Sequence, residues 1–229
     1  MDFLKGEILI INKEIDWTSF DVVNKIRNML KKKYDIKKIK VGHAGTLDPK
    51  ATGVVVVCTG KKTKELDKLQ SETKEYIAEI KLGETTPSFD SETEPDNTYE
   101  YTHITKDDIT SVLKTFEGKQ EQIPPIYSAV HVNGQRAYKL ARKGKDVEIK
   151  PREIEIYEIE LQDFSLPYIT VKIKCSKGTY IRALARDIGK RLNSGAYLTK
   201  LHRTASGDFT IDKAITINEF ENILNTKTI

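Results

Sequence analysis

Two stretches of this chain alternate cleanly between apolar and polar residues. Tyr76, Ala78, Ile80 and Leu82 alternate with Lys and Glu up to Gly83, and Ile169, Val171, Ile173 and Cys175 alternate in the same way. A period of two predicts strands with one buried face. Gly6 to Asn12, rich in Ile and Leu, reads as a further strand, and Ile154, Ile156 and Ile159 lie in another. Val54-Val55-Val56-Val57 is a continuous apolar run, as expected of a strand covered on both faces.

Helical spacing appears between these strands. Thr18 and Asp21 have the spacing of a capping box, and Val22, Val23, Ile26, Met29 and Leu30 follow as an apolar stripe. Thr105 to Asp108 repeats the capping signal ahead of Ile109, Val112, Leu113 and Phe116, with Gly118 expected to end that helix. The Ser176-Lys177-Gly178 turn hands a strand to a helix carrying Ile181, Leu184, Ala185, Ile188 and Leu192, with Arg182 and Arg186 one turn apart on a neighbouring face. A short helix is expected from Asn218 to Leu224. Residues 84–104 are polar and acidic with Pro87, Pro95 and Asp96-Asn97, and read as a surface excursion. Pro124-Pro125 forces an extended segment.

Strands and helices mix without strict βαβ alternation. The expected class is therefore α+β, with a mixed, largely antiparallel sheet and flanking helices, in one domain over residues 1–229.

Composition narrows the class further. With 38% hydrophobic and 31% charged residues, no run approaches the length that spans a bilayer, and the N-terminus lacks the layout of a signal peptide. Cys58 and Cys175 are far apart and belong to no CxxC pair, so neither a zinc site nor any other metal is expected; buried reduced thiols fit a cytoplasmic location. No GxGxxG or P-loop calls for a nucleotide cofactor. The net charge of +4, from 38 basic and 34 acidic residues, does not by itself mark a nucleic-acid binder. Its distribution says more. Lys31, Lys32 and Lys33 precede Lys37, Lys38 and Lys40, and Lys61, Lys62 and Lys64 follow the next strand, while acids gather between Glu84 and Glu100. That segregation suggests a basic face around the candidate site, the loop that carries Asp48, suited to a phosphate backbone. The helix dipole alone explains Lys31 to Lys33 equally well.

The chemistry concentrates in Gly42-His43-Ala44-Gly45-Thr46-Leu47-Asp48-Pro49-Lys50-Ala51-Thr52-Gly53-Val54. One carboxylate, Asp48, stands in a Gly/Pro-rich loop ahead of a buried strand, a rigid support for a functional group. An Asp-Pro pair can equally be an ordinary turn.

This stretch resembles the core motif of the TruB-type tRNA pseudouridine synthases, in which the aspartate is catalytic. Four further stretches are similar to that family's motifs, in the same order. They are Lys74 to Gly83 with Thr86 and Asp90; Ile123 to Val130, continuing to Gly134, Arg136, Tyr138, Ala141 and Arg142; Cys175 to Arg182; and Leu198 to Thr204. The resemblance implies the pseudouridine synthase fold with a central cleft, and isomerisation of uridine 55 in the T arm of tRNA by base flipping. It implies no cofactor, no obligatory protein partner, and a monomer.

By the same resemblance Asp48, Arg182 and Tyr76 are the catalytic residues. His43, Tyr76, Tyr180 and Leu201 line the uridine pocket, and Lys31, Lys32, Lys33, Lys61 and Lys64 are candidate RNA-backbone contacts. Attack by Asp48 on uracil C6, attack on ribose C1′, and deprotonation of the ribose all remain open. Arg182 is expected to hold Asp48; a surface ion pair with Asp187 or a glutamate is the plainer alternative. His202 stands where the family often has arginine, and the small C-terminal RNA-binding domain usual in relatives is expected to be absent or truncated. Two other functions compete: a tRNA-folding chaperone whose catalysis is dispensable, and a guide-RNA-dependent pseudouridylase of similar fold.

Overall fold

The computed structural model describes residues 2–128, 130–132, 134–137 and 148–226. Ala129, Tyr138, Ala141 and Arg142 of the third motif lie outside the described residues. The chain divides into two compact units, one formed by Met1–Tyr76 with Leu201–Ile229, the other by Ile77–Lys200.

In the first unit, strand β1 (Ile8–Lys13) leads to helix α1 (Ser19–Tyr34). The predicted capping box is present, with Thr18 accepting from the Asp21 amide and Asp21 bonding back to the Thr18 backbone. Val22, Val23, Ile26 and Leu30 form its buried face. Strand β2 (Val41–Ala44) and strand β3 (Ala51–Thr59) form an antiparallel ladder from Val41↔Thr59 to Ala44↔Val56. β1 pairs antiparallel with β3 along its other edge, Ile8↔Cys58 to Lys13↔Gly53. Val54, Val56 and Cys58 pack with Ala44 and Leu69 on one face of β3, and Val55 and Val57 are equally buried on the other. The unbroken valine run is thus a strand covered on both sides. A 3-10 turn (Gly60–Glu65) and helix α2 (Leu66–Ser71) follow.

Strand β4 (Lys74–Leu82) carries the chain into the second unit, its burial alternating strictly as the sequence predicts. The 84–104 region is only partly a surface excursion. Strands β5 (Glu84–Thr85) and β6 (Asn97–Thr98) pair across it, and Thr86, Ser88 and Asp90 are buried. Tyr99 closes over Gly195, where a Cβ would stand 2.4 Å from the ring, so that position admits no side chain. Helix α3 (Lys106–Lys114) has the predicted capping box at Thr105 and Asp108. It ends before Gly118, which opens strand β7 (Gly118–Gln122).

Beyond a short ladder of β8 (His131–Val132) and β9 (Gln135–Arg136), strand β10 (Arg152–Ser165) pairs antiparallel with β7 and with β11 (Tyr168–Cys175). A register shift between Ile156 and Glu158 absorbs the extra residue between Ile156 and Ile159, so both still face inward. The second unit's strands run in the order β4-β11-β10-β7. Helix α4 (Ile181–Arg191) follows the Ser176–Gly178 turn as expected.

Strand β12 (Ala196–Ser206) returns the chain to the first unit, where Leu201 to Arg203 pair in parallel with Ala51 to Gly53. Strand β13 (Phe209–Thr210) pairs back on β12, and helix α5 (Ile217–Thr226) packs against α1. Phe220 of α5 meets Phe3 edge-on at 5.5 Å. The parallel pairing of β12 with β3 beside the antiparallel ladders described above gives the mixed, largely antiparallel α+β arrangement predicted. Among the described residues no helix is long and apolar enough to cross a membrane.

Candidate active site

Asp48 sits at the tip of the β2–β3 hairpin, half-buried, in a loop whose backbone is held at every step. Arg203 donates through Nη2 to the carbonyl of Gly45 at 3.2 Å and, more weakly, through Nη1 to that of Thr46 at 3.5 Å. The Ser19 hydroxyl accepts from the Leu47 amide at 2.8 Å and donates to its carbonyl at 3.2 Å. The Ala51 amide donates to the Asp48 carbonyl at 3.1 Å. Pro49 accepts from the Asp16 amide at 2.9 Å and from Lys13 Nζ at 3.3 Å. Five successive carbonyls, Gly45 to Pro49, therefore have donors, and the carboxylate rides on a fixed backbone.

Three of the groups that do this are buried and polar. Arg203 is 1% exposed and also donates through Nε to the Val54 carbonyl at 2.7 Å. It reaches the loop because its own backbone lies against Gly53, where φ is +103° and a Cβ would stand 2.3 Å from the Arg203 carbonyl oxygen. Only glycine satisfies both conditions. Lys13 is likewise 1% exposed, and its ammonium donates to the carbonyls of Glu14, Trp17 and Pro49. Burial lowers the Lys13 pKa to about 8, with the Asp48 carboxylate opposing that shift and Arg203 reinforcing it. Ser19 opens α1 directly after its cap, so the capping box also aims the hydroxyl at Leu47.

His43 and Leu201 flank this loop. His43 lies on β2 opposite Val57, and Leu201 pairs with Ala51, the residue at the loop's exit. Burial, reinforced by the Arg203 charge, pushes the His43 imidazole below its usual pKa, so the ring is neutral near pH 7. His202 accepts or donates through Nδ1 at 2.8 Å to the Thr52 hydroxyl, and burial lowers its pKa too. Tyr76 faces inward on β4 at 8% exposure, rather than standing as an exposed ring.

In the second unit, Arg182 is buried near the start of α4. Its Nη1 lies 3.2 Å from Asp90 Oδ2 and donates to the Ser88 carbonyl, and Nη2 donates to the Tyr127 carbonyl at 3.1 Å. The surface ion pair with Asp187 is not formed: Asp187 pairs with Arg186 at 2.8 Å. Tyr180 precedes α4 as its N-cap, and its backbone is gripped by the Gln122 side chain. The Tyr180 amide donates to Gln122 Oε1 at 2.8 Å, and Gln122 Nε2 donates to the Tyr180 carbonyl at 3.1 Å. The Arg152 guanidinium covers the Tyr180 ring at 5.3 Å.

The lysines gather elsewhere. Arg27 donates to the Val41 carbonyl at 2.9 Å, which places the last turn of α1, with Lys31 to Lys33, at the open end of the β2–β3 ladder. Lys61 and Lys64 follow Thr59 at that same end. Asp48 is at the other end, eight residue steps along β3, roughly 26 Å away. The basic cluster does not surround the loop.

Sequence reasoning assigned no role to Lys13, Ser19, Gln122 or Arg152. For Lys13 the signal was present: Leu9, Ile11 and Lys13 share one face of β1, and that face is buried. A lysine at a core position of a strand needs several partners. Among the described residues, no group of three His, Cys, Asp or Glu side chains could hold a metal ion.

A mixed α+β fold carrying one loop-borne carboxylate on a clamped hairpin defines a protein of the pseudouridine synthase fold. Comparison with known proteins makes the class specific. Residues 27–181 match the TruB family pseudouridylate synthase N-terminal domain, and residues 182–228 match the tRNA pseudouridylate synthase B C-terminal domain. A tRNA pseudouridine synthase B of Parabacteroides distasonis is 56% identical over 229 residues, covering 100% of this chain and 97% of the relative. One of Clostridium kluyveri is 47% identical, covering 95% of this chain and 73% of the relative. Among solved structures, a chain of a Cbf5-Nop10-Gar1 complex superposes with a TM-score of 0.73 at 30% identity, over 96% of this chain and 54% of that one. An H/ACA RNP bound to a substrate RNA containing 2′-deoxyuridine gives 0.69 at 28% identity, with 96% and 53% covered. The chain belongs to the TruB family of pseudouridylate synthases.

Proposed function

We propose that this protein converts uridine 55 in the T arm of tRNA to pseudouridine, acting as a monomer in the cytoplasm with Asp48 as its catalytic carboxylate. The observation that carries the reading is the loop itself. All five carbonyls from Gly45 to Pro49 are bonded, so Asp48 is preorganised before any substrate arrives. The reaction breaks the bond from ribose C1′ to uracil N1, turns the base, and forms a bond from C1′ to C5. The C5 proton leaves and N1 gains one, so the product is an isomer and the chemistry is redox-neutral. What the enzyme must supply is a charged group at the sugar–base junction, a pocket for the extruded base, and a grip on the RNA.

Asp48 supplies the first. His43, Tyr76, Tyr180 and Leu201 supply the second: a neutral His43 ring stacks without adding charge, and Leu201 is an apolar wall at the loop's exit. Arg182 is the cationic residue assigned to the reaction, its planar guanidinium suited to a carboxylate. The lysines at the far end of the β2–β3 ladder meet the phosphate backbone well away from the target base. Identity above 45% to relatives named tRNA pseudouridine synthase B, against 30% or less to the chains of the Cbf5 and H/ACA complexes, favours free tRNA over a guided substrate. The buried thiol of Cys58 suits a reducing compartment.

The test is incubation of the purified protein with an unmodified tRNA transcript, followed by mapping of pseudouridine. Modification confined to position 55 supports the reading; no pseudouridine, or pseudouridine elsewhere, refutes it.

A further inference from the structure

Among the described arginine side chains, all but one have a hydrogen bond or an ion pair. Arg27 bonds Asn24 and Val41, Arg182 pairs with Asp90, Arg186 with Asp187, Arg191 bonds Thr115, and Arg203 bonds the Asp48 loop. Arg152 has neither. Its Nε is buried without a hydrogen-bond partner, and its guanidinium lies over the Tyr180 ring, 5.3 Å from the centroid. Its Nη1 is 3.6 Å from the Cβ position of Gly178 in the turn before α4.

The register of the sheet explains why no carboxylate reaches it. Arg152, Ile154 and Ile156 share one face of β10, the face that enters the core. Glu153 and Glu155 alternate to the other face, and Glu153 stands opposite Glu121 of β7. Arg152 itself stands opposite Gln122. That cross-strand pair treats Tyr180 as a unit: Gln122 grips its backbone and Arg152 covers its ring. The cation is therefore held over the Tyr180 ring, with its N–H donors uncommitted. A planar guanidinium so placed is a receptor for a planar or tetrahedral oxyanion, and phosphate is the oxyanion an RNA-modifying enzyme meets.

We propose that Arg152 is a phosphate seat, binding a phosphodiester of the RNA strand beside the nucleotide that Tyr180 receives. This rests on the reading that Tyr180 lines the uridine pocket. The ring locates the guanidinium, Gln122 fixes the Tyr180 backbone beside it, and the bound phosphate sets the position of the flipped nucleotide's backbone relative to its base. Arg152 is in this sense a binding and positioning residue, and it carries no proton in the reaction.

The experiment uses the full-length protein and synthetic T-arm hairpins in which each phosphate flanking the target uridine is replaced in turn by a neutral methylphosphonate. Affinity is measured for the unsubstituted protein and for Arg152→Met, which keeps an apolar stem over Tyr180 without charge. One substituted phosphate is expected to weaken binding to the unsubstituted protein about tenfold, and to change binding to Arg152→Met little. The slope of log affinity against log salt should fall by about 0.7 to 0.9 in the variant. Arg152→Lys should keep most of that slope, and it serves as the comparison if Arg152→Met does not fold. Equal sensitivity of both proteins at every phosphate overturns the proposal, even if the salt slope falls, because a diffuse charge effect alone would do that. A residue that merely packs on Tyr180 would change melting temperature and leave the phosphate map intact. Pseudouridine formation is scored on the unmodified hairpin in parallel; its absence would count against the proposed function, while the phosphate map would still decide the role of Arg152.

Discussion

Arg182 and Asp90 form an ion pair of 3.2 Å with both side chains only 7% exposed. The pair is embedded in further bonds: Ser88 donates from its hydroxyl to Asp90 Oδ1 at 2.6 Å, the Glu92 amide donates to the same oxygen, and Arg182 donates to the Ser88 and Tyr127 carbonyls. The polar 84–104 segment is thereby tied to the first turn of α4. A sequence-distant aspartate thus fixes the arginine to which the proposed reaction gives a part.

Removing one member of such a pair leaves the other charged and desolvated. Asp90→Ala is expected to destabilise the fold by about 3 to 5 kcal/mol, measured by urea denaturation. Asp90→Asn keeps the shape and part of the hydrogen bonding, and should lower kcat more than it raises KM. Arg182→Lys should lose the multi-point hydrogen bonding and most of its turnover, with a smaller change in tRNA affinity. A lysine variant as fast as the original protein would remove Arg182 from its assigned role.

Asp48→Asn is almost isosteric. The donors that hold the Gly45 to Pro49 carbonyls come from Arg203, Ser19, Lys13 and the Ala51 and Asp16 amides, so the substitution removes none of them. Folding and tRNA binding should survive while pseudouridine formation is abolished. Turnover within tenfold of the original, equivalent to about 1.4 kcal/mol of barrier, would show that the carboxylate is dispensable.

How much of this was legible in sequence depended on range. The two predicted capping boxes, Thr18 with Asp21 and Thr105 with Asp108, were readable because a cap is a local bond between residues three apart. The alternating strands β4 and β11 were readable because one buried face forces period two. The loop was readable as a Gly/Pro-rich turn ahead of a buried strand, but its scaffold was not: Arg203, Lys13 and Ser19 converge on it from β12, β1 and α1. No local pattern reports such convergence. Arg182 has Asp187 close by in sequence, yet it turns inward to Asp90, leaving Asp187 to Arg186. The lysines expected around Asp48 lie instead at the far end of β3, since closeness in sequence across a hairpin is not closeness to its tip.

That separation has a consequence for binding. Lys31, Lys32 and Lys33 should act on the RNA backbone and leave the chemistry alone. Neutralising all three should weaken binding to tRNAs of different sequence alike, and reduce the slope of log affinity against log salt by about 0.7 to 0.9 for each phosphate no longer neutralised. Single-turnover rates at saturating protein should stay within about twofold. An unchanged slope would leave these lysines as the favourable end of a helix dipole and nothing more.

Lys13 makes the loop's support sensitive to pH. Its folded pKa is lowered to about 8, first by burial and then by Arg203, against the raising effects of Asp48, Asp16 and Asp21. An unfolded lysine titrates near 10.4. Between those values the unfolded chain binds more protons than the folded one, so this group's contribution to stability rises with pH across that window, by about 3 kcal/mol in total. Catalysis should move the other way. A neutral amine has two hydrogens for three carbonyls, and it no longer places a positive charge near Asp48. The rate of pseudouridine formation should therefore fall as pH rises through about 8, while resistance to urea does not fall with it. Lys13→Met removes the titrating group and leaves the Glu14, Trp17 and Pro49 carbonyls without that donor, so it should be slow already at pH 7 and show no further loss near pH 8. Uridine itself loses a proton in alkali, but a limb belonging to the substrate would persist in the variant. An identical alkaline limb in both proteins would show that Lys13 does not govern the loop.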